Sequence, residues 1–168
     1  MENNFVPMST SLESTRSIGA NFTLSVPQGQ RYFYFSTDAA NRLSLIAGDR
    51  VGFLLDKSND MNNYIYITSN TVGTAPIKKY KAYPYRVDNA KFAATLQNIY
   101  MITHPGVNVK LHINFDISIK AKINGKDETA YLITTSVAER ADLDDFIKEA
   151  IKEKYQEIFK SAKNAKHE

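Results

Sequence analysis

The sequence predicts an α+β fold: a mostly antiparallel, twisted sheet with two short helices and one long C-terminal amphipathic helix. Three observations predict it. Over 107–123, Val107, Val109, Leu111, Ile113, Phe115, Ile117, Ile119, Ala121 and Ile123 alternate with polar residues without a break. That is the two-residue period of a strand with one dry and one wet face. The run ends at Asn124-Gly125, a pair suited to a type I′ turn because both residues tolerate positive φ. A long β-hairpin is therefore expected over 107–135. Beyond residue 142 the period changes. Leu143, Phe146, Ile147, Ala150, Ile151, Tyr155, Ile158, Phe159 and Ala162 fall on one stripe at helical spacing.

Composition bounds the rest. A chain of 168 residues, 43% hydrophobic and 23% charged, fits one core-forming domain. We divide it into a polar arm over 1–19 and a single α+β domain over 20–168. The net charge of +3 permits an anionic partner without demanding one. There is no cysteine, which excludes disulfides, thiolate metal sites and cysteine nucleophiles and suits a reducing cytoplasm. No stretch approaches the ~20 apolar residues of a membrane span, so no membrane partner is expected.

The elements follow in order. Residues 20–26 alternate, 27–30 turn, and 31–35 form a strand expected to pair back as a hairpin. Ser36, Thr37 and Asp38 offer caps to a short helix over 39–46. Ala47-Gly48-Asp49 breaks it. Strands are expected over 50–56 and 64–68. Residues 76–87 read as extended but contain Pro84, which places them on a sheet edge or at a bend. Asp88 offers a cap to a helix over 89–101. In the long hairpin, a two-residue turn sets Lys122 opposite Asp127, a pair worth roughly 0.2–1 kcal/mol. It also sets Ala130 opposite Ile119 and Leu132 opposite Ile117. Ser136-x-x-Glu139 has the form of a capping box. The long helix is expected over 142–162, with Asp142, Asp144 and Asp145 in its first turn and Lys160 and Lys163 near its end, matching the macrodipole.

Two segments share an order of strand, helix, glycine turn and strand, over 31–68 and 83–123. Gly48-x-x-Val51-x-Phe53 recurs as Gly106-x-x-Val109-x-Leu111. In the first, Phe35-Ser36-Thr37 through Leu43-Ser44-Leu45 and then Gly48-Asp49-Arg50-Val51 resembles the AbrB/MazE-type swapped-hairpin module. The resemblance covers about residues 31–68. It implies an intertwined dimer that binds duplex DNA. Ser36-Thr37-Asp38 stands where that family carries a proline, and the loop over 57–63 is longer than its closing turn, so no DNA-contacting residue is carried over.

The richest functional signal is Lys78-Lys79-Tyr80-Lys81-Ala82-Tyr83-Pro84-Tyr85-Arg86. Cations neutralise phosphates and aromatic rings offer a stacking platform to unpaired bases. Lys78, Lys79, Tyr80, Lys81, Tyr83, Tyr85 and Arg86 are the candidate nucleic-acid-binding residues, for single- or double-stranded DNA or RNA. The same segment also reads as a tyrosine-rich edge strand whose lysines discourage aggregation. Tyr32 and Tyr34 alternate with Phe33 and Phe35, so one pair is expected outside. Lys110, His112, Lys120 and Lys122 lie on the wet face of the long strand, diluted by Asp116 and Asp127. Catalysis finds little support. His104 adjoins a Pro-Gly turn, His112 sits on a wet strand face, and His167 is near the chain end. No metal-ligand spacing, serine elbow or phosphate-binding loop is present, and no cofactor is expected. The competing reading is a structural or assembly protein, a homo-oligomer of virion or other shell type, in which strand addition covers exposed edges.

Overall fold

The computed structural model of the protein describes residues 21–58, 61–81 and 85–166. The arm over 1–19, Tyr83, Pro84 and His167 lie outside the described residues. Among those described, eight strands form one antiparallel sheet: β1 Thr23–Pro27, β2 Tyr32–Phe35, β3 Arg50–Leu55, β4 Asn63–Thr68, β5 Ala75–Pro76, β6 Arg86–Asp88, β7 Asn108–Ile123 and β8 Lys126–Thr135. The spatial order is β5-β3-β4-β8-β7-β1-β2-β6. The outermost strands, β5 and β6, are then joined. Just beyond β5, Lys78 exchanges both backbone hydrogen bonds with Arg86, each 2.8 Å. The sheet closes on itself, and the segment expected at an edge or bend is the clasp that removes the edge. Side chains from opposite halves of the strand order meet inside: the Phe33 and Phe53 rings lie 5.8 Å apart, and Phe53 packs edge-on against Phe92 at 5.3 Å.

The closed sheet has two seams. β5-β3-β4 and β6-β2-β1 meet at the Lys78–Arg86 bridge, and the β7–β8 pair is inserted between β4 and β1. From Ile123↔Lys126 through Lys122↔Asp127 and Ile119↔Ala130 to Ser118↔Tyr131, β8 follows the register of a two-residue turn. Asn124 and Gly125 take φ of 51° and 82° there. The pairing then jumps to Asn114↔Leu132, so the expected partner of Leu132, Ile117, is corrected to Asn114. Looping out residues 115–117 lets the Phe115 ring turn into a cluster. It lies 5.0 Å from Phe22, 4.9 Å from Tyr131 and 4.7 Å from the Arg42 guanidinium. The dry face of β7 also changes there. Val109, Leu111 and Ile113 are buried, but Ile119 is 39% exposed. Perfect alternation describes the strand; only its first half faces the core.

Three α-helices are described. α1, Thr37–Arg42, starts where the Ser36 hydroxyl accepts the Ala39 amide at 3.1 Å. It stops short of the expected residue 46 because Ser44 adopts φ of 53°. α2, Ala90–Ile99, is capped by Asn89, whose side chain accepts the Phe92 amide at 2.9 Å. The expected cap, Asp88, is instead engaged with Tyr80 and Arg86. α3, Asp145–Lys166, begins later than expected, with the Asp144 side chain accepting the Ile147 amide at 2.9 Å. Its Tyr155 hydroxyl accepts the Thr135 amide of β8 at 3.0 Å, tying helix to sheet. The buried stripe is narrower than the sequence suggests. Ile151, Tyr155 and Ile158 are covered, while Phe146, on the helix flank, is 84% exposed. Ser136 makes no side-chain cap. It precedes a single 3-10 turn, Val137–Glu139, so the capping box does not form.

That turn delivers a buried cation. Arg140, 3% exposed, donates from Nη1 to the Tyr100 carbonyl and from Nη2 to the Met101 carbonyl, both at 2.8 Å. These carbonyls end α2. A two-point ion pair to Asp142 at 2.8 Å completes its bonding. Asp142 therefore serves Arg140 and not the helix dipole. Arg140 binding, against the cost of burial, holds the Asp142 carboxyl below its ordinary range, with a smaller contribution from His104. A depressed carboxylate stabilises the fold above the ordinary value near ~3.9 and loses that contribution as pH falls through the folded value. We predict that Asp142→Asn lowers stability at pH 7 by about 3 kcal/mol, because Arg140 stays buried without its counter-charge. The variant should also lose part of the steepening of acid unfolding below about pH 4. Urea unfolding across pH checks both.

Close packing of β3 on β4 gives a second prediction. A Cβ on Gly52 would lie 2.3 Å from the ring of buried Tyr66. Gly52→Ala should cost roughly 1–3 kcal/mol through overpacking, read as a lowered urea midpoint.

Candidate nucleic-acid interface

The register across β6 and β2 decides which side chains face outward. Tyr32 pairs with Asp88, Phe33 with Val87 and Tyr34 with Arg86. Phe33 and Val87 are fully buried, so Tyr32, Tyr34, Arg86 and Asp88 share the outer face. The outward pair is thus the tyrosines. The same row continues through Ser25 on β1 to Lys110 on β7. Arg86, Tyr34, Ser25 and Lys110 form one line across four strands.

The predicted residues divide by role. Lys78, Lys79 and Lys81 are exposed. Lys78 is held by its backbone bonds to Arg86, and the Lys79 ammonium lies 5.6 Å from the centre of the Tyr85 ring. Tyr85 is half-buried against the core, and its carbonyl accepts the Phe35 amide at 2.9 Å. Arg86 is the hub. Its guanidinium lies 3.7 Å from the Tyr32 ring centre and 5.1 Å from that of Tyr80, and its Nε bonds Asp88 at 2.7 Å. The Tyr80 hydroxyl donates to the other Asp88 oxygen at 2.7 Å. Tyr83 lies outside the described residues.

The electrostatics follow from this knot. Partial burial works to raise the Asp88 carboxyl. The hydrogen bonds from Tyr80 and Arg86 outweigh it, and the carboxyl sits below its ordinary range. The same Asp88 bond pushes the Tyr80 phenol up. Asp88 is therefore occupied by its own neighbours, and the three lysines carry the outward charge of this segment. Lys110 extends the basic row. Further along β7, the His112 ring lies 3.7 Å from Glu139, which ends it. Sequence reasoning named Lys110 only as part of a diluted wet face. Its alignment with Arg86 depends on pairing between strands far apart in the chain. The Tyr32–Arg86 stack was likewise invisible, although the alternation over 31–35 was the available signal.

Among the described residues no group of three or more His, Cys, Asp or Glu could hold a metal ion, and no helix is long and apolar enough to cross a membrane. The class the coordinates define is a mixed α+β protein built on one large antiparallel sheet. No protein-family model, curated protein or solved structure matches the chain.

The knot makes a separable prediction. Arg86→Ala removes an ion pair and two ring contacts and should lower Tm by about 2–4 °C or more. Replacing Lys78, Lys79 and Lys81 with Ala touches solvated side chains and should change stability by less than about 0.5 kcal/mol. Thermal unfolding of the two variants side by side tests this division between structural and free cations.

Proposed function

We propose that the protein binds nucleic acid without catalysing a reaction, through Lys78, Lys79 and Lys81 and the adjoining tyrosine-bearing outer face of β2 and β6. The observation that carries the reading is the placing of three exposed lysines within four positions. Their loop is fastened at Lys78, beside Tyr80 and the Tyr32–Arg86 stack, and the adjacent carboxylate is already satisfied. Fastened cations lose less freedom on meeting a phosphate chain than cations on a free tail. Lys110 lengthens the track. The resemblance over 31–68 to the AbrB/MazE-type module favours duplex DNA, and the tyrosines favour unpaired strands. A cysteine-free chain suits action in a reducing cytoplasm.

A second reading, a self-assembling structural protein of shell or connector type, has its own observation. Phe146 is 84% exposed. A groove of about 560 Å³ runs between α3 and the distal half of β7, lined in part by Ile117, Ile119, Ile158 and Ala162. It predicts a defined oligomer in sedimentation without any nucleic acid.

Fluorescence anisotropy with labelled single- and double-stranded DNA, repeated over a salt series, separates the readings. Binding should weaken steeply with salt. Replacing Lys78, Lys79 and Lys81 with Ala should flatten the log–log salt slope by about 2–3. No binding at low salt would sink this function and leave the assembly reading.

A further inference from the structure

Beside the lysines lies a feature the basic patch does not explain. A crevice of about 260 Å³ opens between the turn after α1 and the strand leading to the clasp. One side is Leu45, Ile46, Ala47 and Gly48; the other is Ile77, Lys78, Lys79 and Tyr85, the Lys79 ammonium 5.6 Å from the Tyr85 ring centre. The first wall is built stiffly. The Asp49 carboxylate accepts the Ile46 amide at 2.8 Å, and the Asp49 amide returns a bond to the Ile46 carbonyl at 3.1 Å. The Asp49 carbonyl accepts the Ile77 amide at 3.1 Å, fastening the two walls together. Gly48, at φ of 93°, turns the chain there, and a Cβ at that position would meet nothing within 4 Å.

Two facts point to an occupant. Ile46 is 71% exposed, a large aliphatic side chain held in water by a braced turn. Among the described residues no carboxylate lines the crevice, and both charged groups on it are cations. Its chemistry fits a flat apolar body joined to negative charge. We infer that the crevice is a subsite for one unpaired base of a single-stranded nucleic acid, with the flanking phosphates on Lys78 and Lys79. The base packs between Ile46 and the Tyr85–Ile77 wall. A base within a duplex has both faces covered by its neighbours and cannot enter. Recognition of single strands by inserting splayed bases against aromatic and apolar side chains is a general mode. This inference rests on the nucleic-acid reading and deepens it: the lysines supply affinity for any strand, and the crevice supplies the preference for an unpaired one.

The test uses the full chain, labelled oligo-dT and a labelled duplex of equal length, by anisotropy at one low salt concentration. The unaltered protein should bind oligo-dT more tightly than duplex. Ile46→Ser removes an exposed contact, and Ala47→Phe fills the crevice from an exposed position, so neither strains the core. Each should weaken oligo-dT binding by about tenfold and leave duplex binding within about twofold. Circular dichroism and Tm establish that both variants are folded. Equal affinity for the two strands, or oligo-dT binding unchanged in both variants, overturns the crevice. If the lysine variant still loses binding in that case, the basic patch stands. Absence of binding to either strand overturns both readings together.

Discussion

The paired backbone bonds between Lys78 and Arg86 are the constraint on which the molecule depends. Without them β5 and β6 end the sheet as two open edges, each two or three residues long. With them the chain just beyond β5 joins β6, and the two ends of the strand order meet. Closure gives Phe33 and Phe53 a shared interior, and the interior gives α2 something to pack against. The clasp also fixes the two ends of the lysine-rich segment, Lys78 and Arg86. It is held by main-chain bonds, which do not depend on the identity of the side chains they carry. Those side chains are consequently available for other work.

The Arg86 knot shows how one residue divides between fold and surface. Its backbone closes the sheet, its guanidinium covers Tyr32, and its charge neutralises Asp88. A cation so engaged offers little to an external phosphate. The neighbouring lysines have long flexible stems and exposed ammonium groups, and only Lys78 also contributes to holding the Asp88 charge. Charge that faces outward and charge that holds the protein together thus lie within nine residues of each other. Arg140 is the fully internal counterpart. It sits under the end of α2, where two carbonyls and Asp142 fill its bonding directions, and Met101 follows at φ of 54°.

Much of the local structure was legible in the sequence, because periodicity and caps are local. The alternation over 107–123 marked β7, the Asn-Gly turn marked its end, and the caps offered at 36–38 marked α1, which starts after the first of them, Ser36. Two of the differences share a cause, a side-chain partner that periodicity does not show: Asp142 left the helix for Arg140, and Asp88 left its cap for Arg86 and Tyr80. Ser136 led into a tight turn without a side-chain cap bond. The jump from Ser118 to Asn114 has no periodic signature, since both residues sit on the same parity of an unbroken alternation. At the candidate site, the composition of 78–86 was plain from the sequence. The bridge from Lys78 to Arg86 and the crevice beside it were not, since each requires β3, β5 and β6 to be brought together.

The insertion of β7 and β8 between β4 and β1 has a consequence for how the chain is made. The bridge that closes one seam joins residues eight apart, but the other seam pairs Leu24 with Leu111 and Ile65 with Tyr131. Until β7 and β8 are in place, β1 and β4 lack the partners that lie between them in the finished sheet. Two unfinished edges on one nascent chain invite pairing with another, and long-range pairing closes slowly. The last third of the polypeptide therefore acts toward the first two thirds as a delayed insert. A chain interrupted before residue 135 lacks part of the pair that covers β1 and β4.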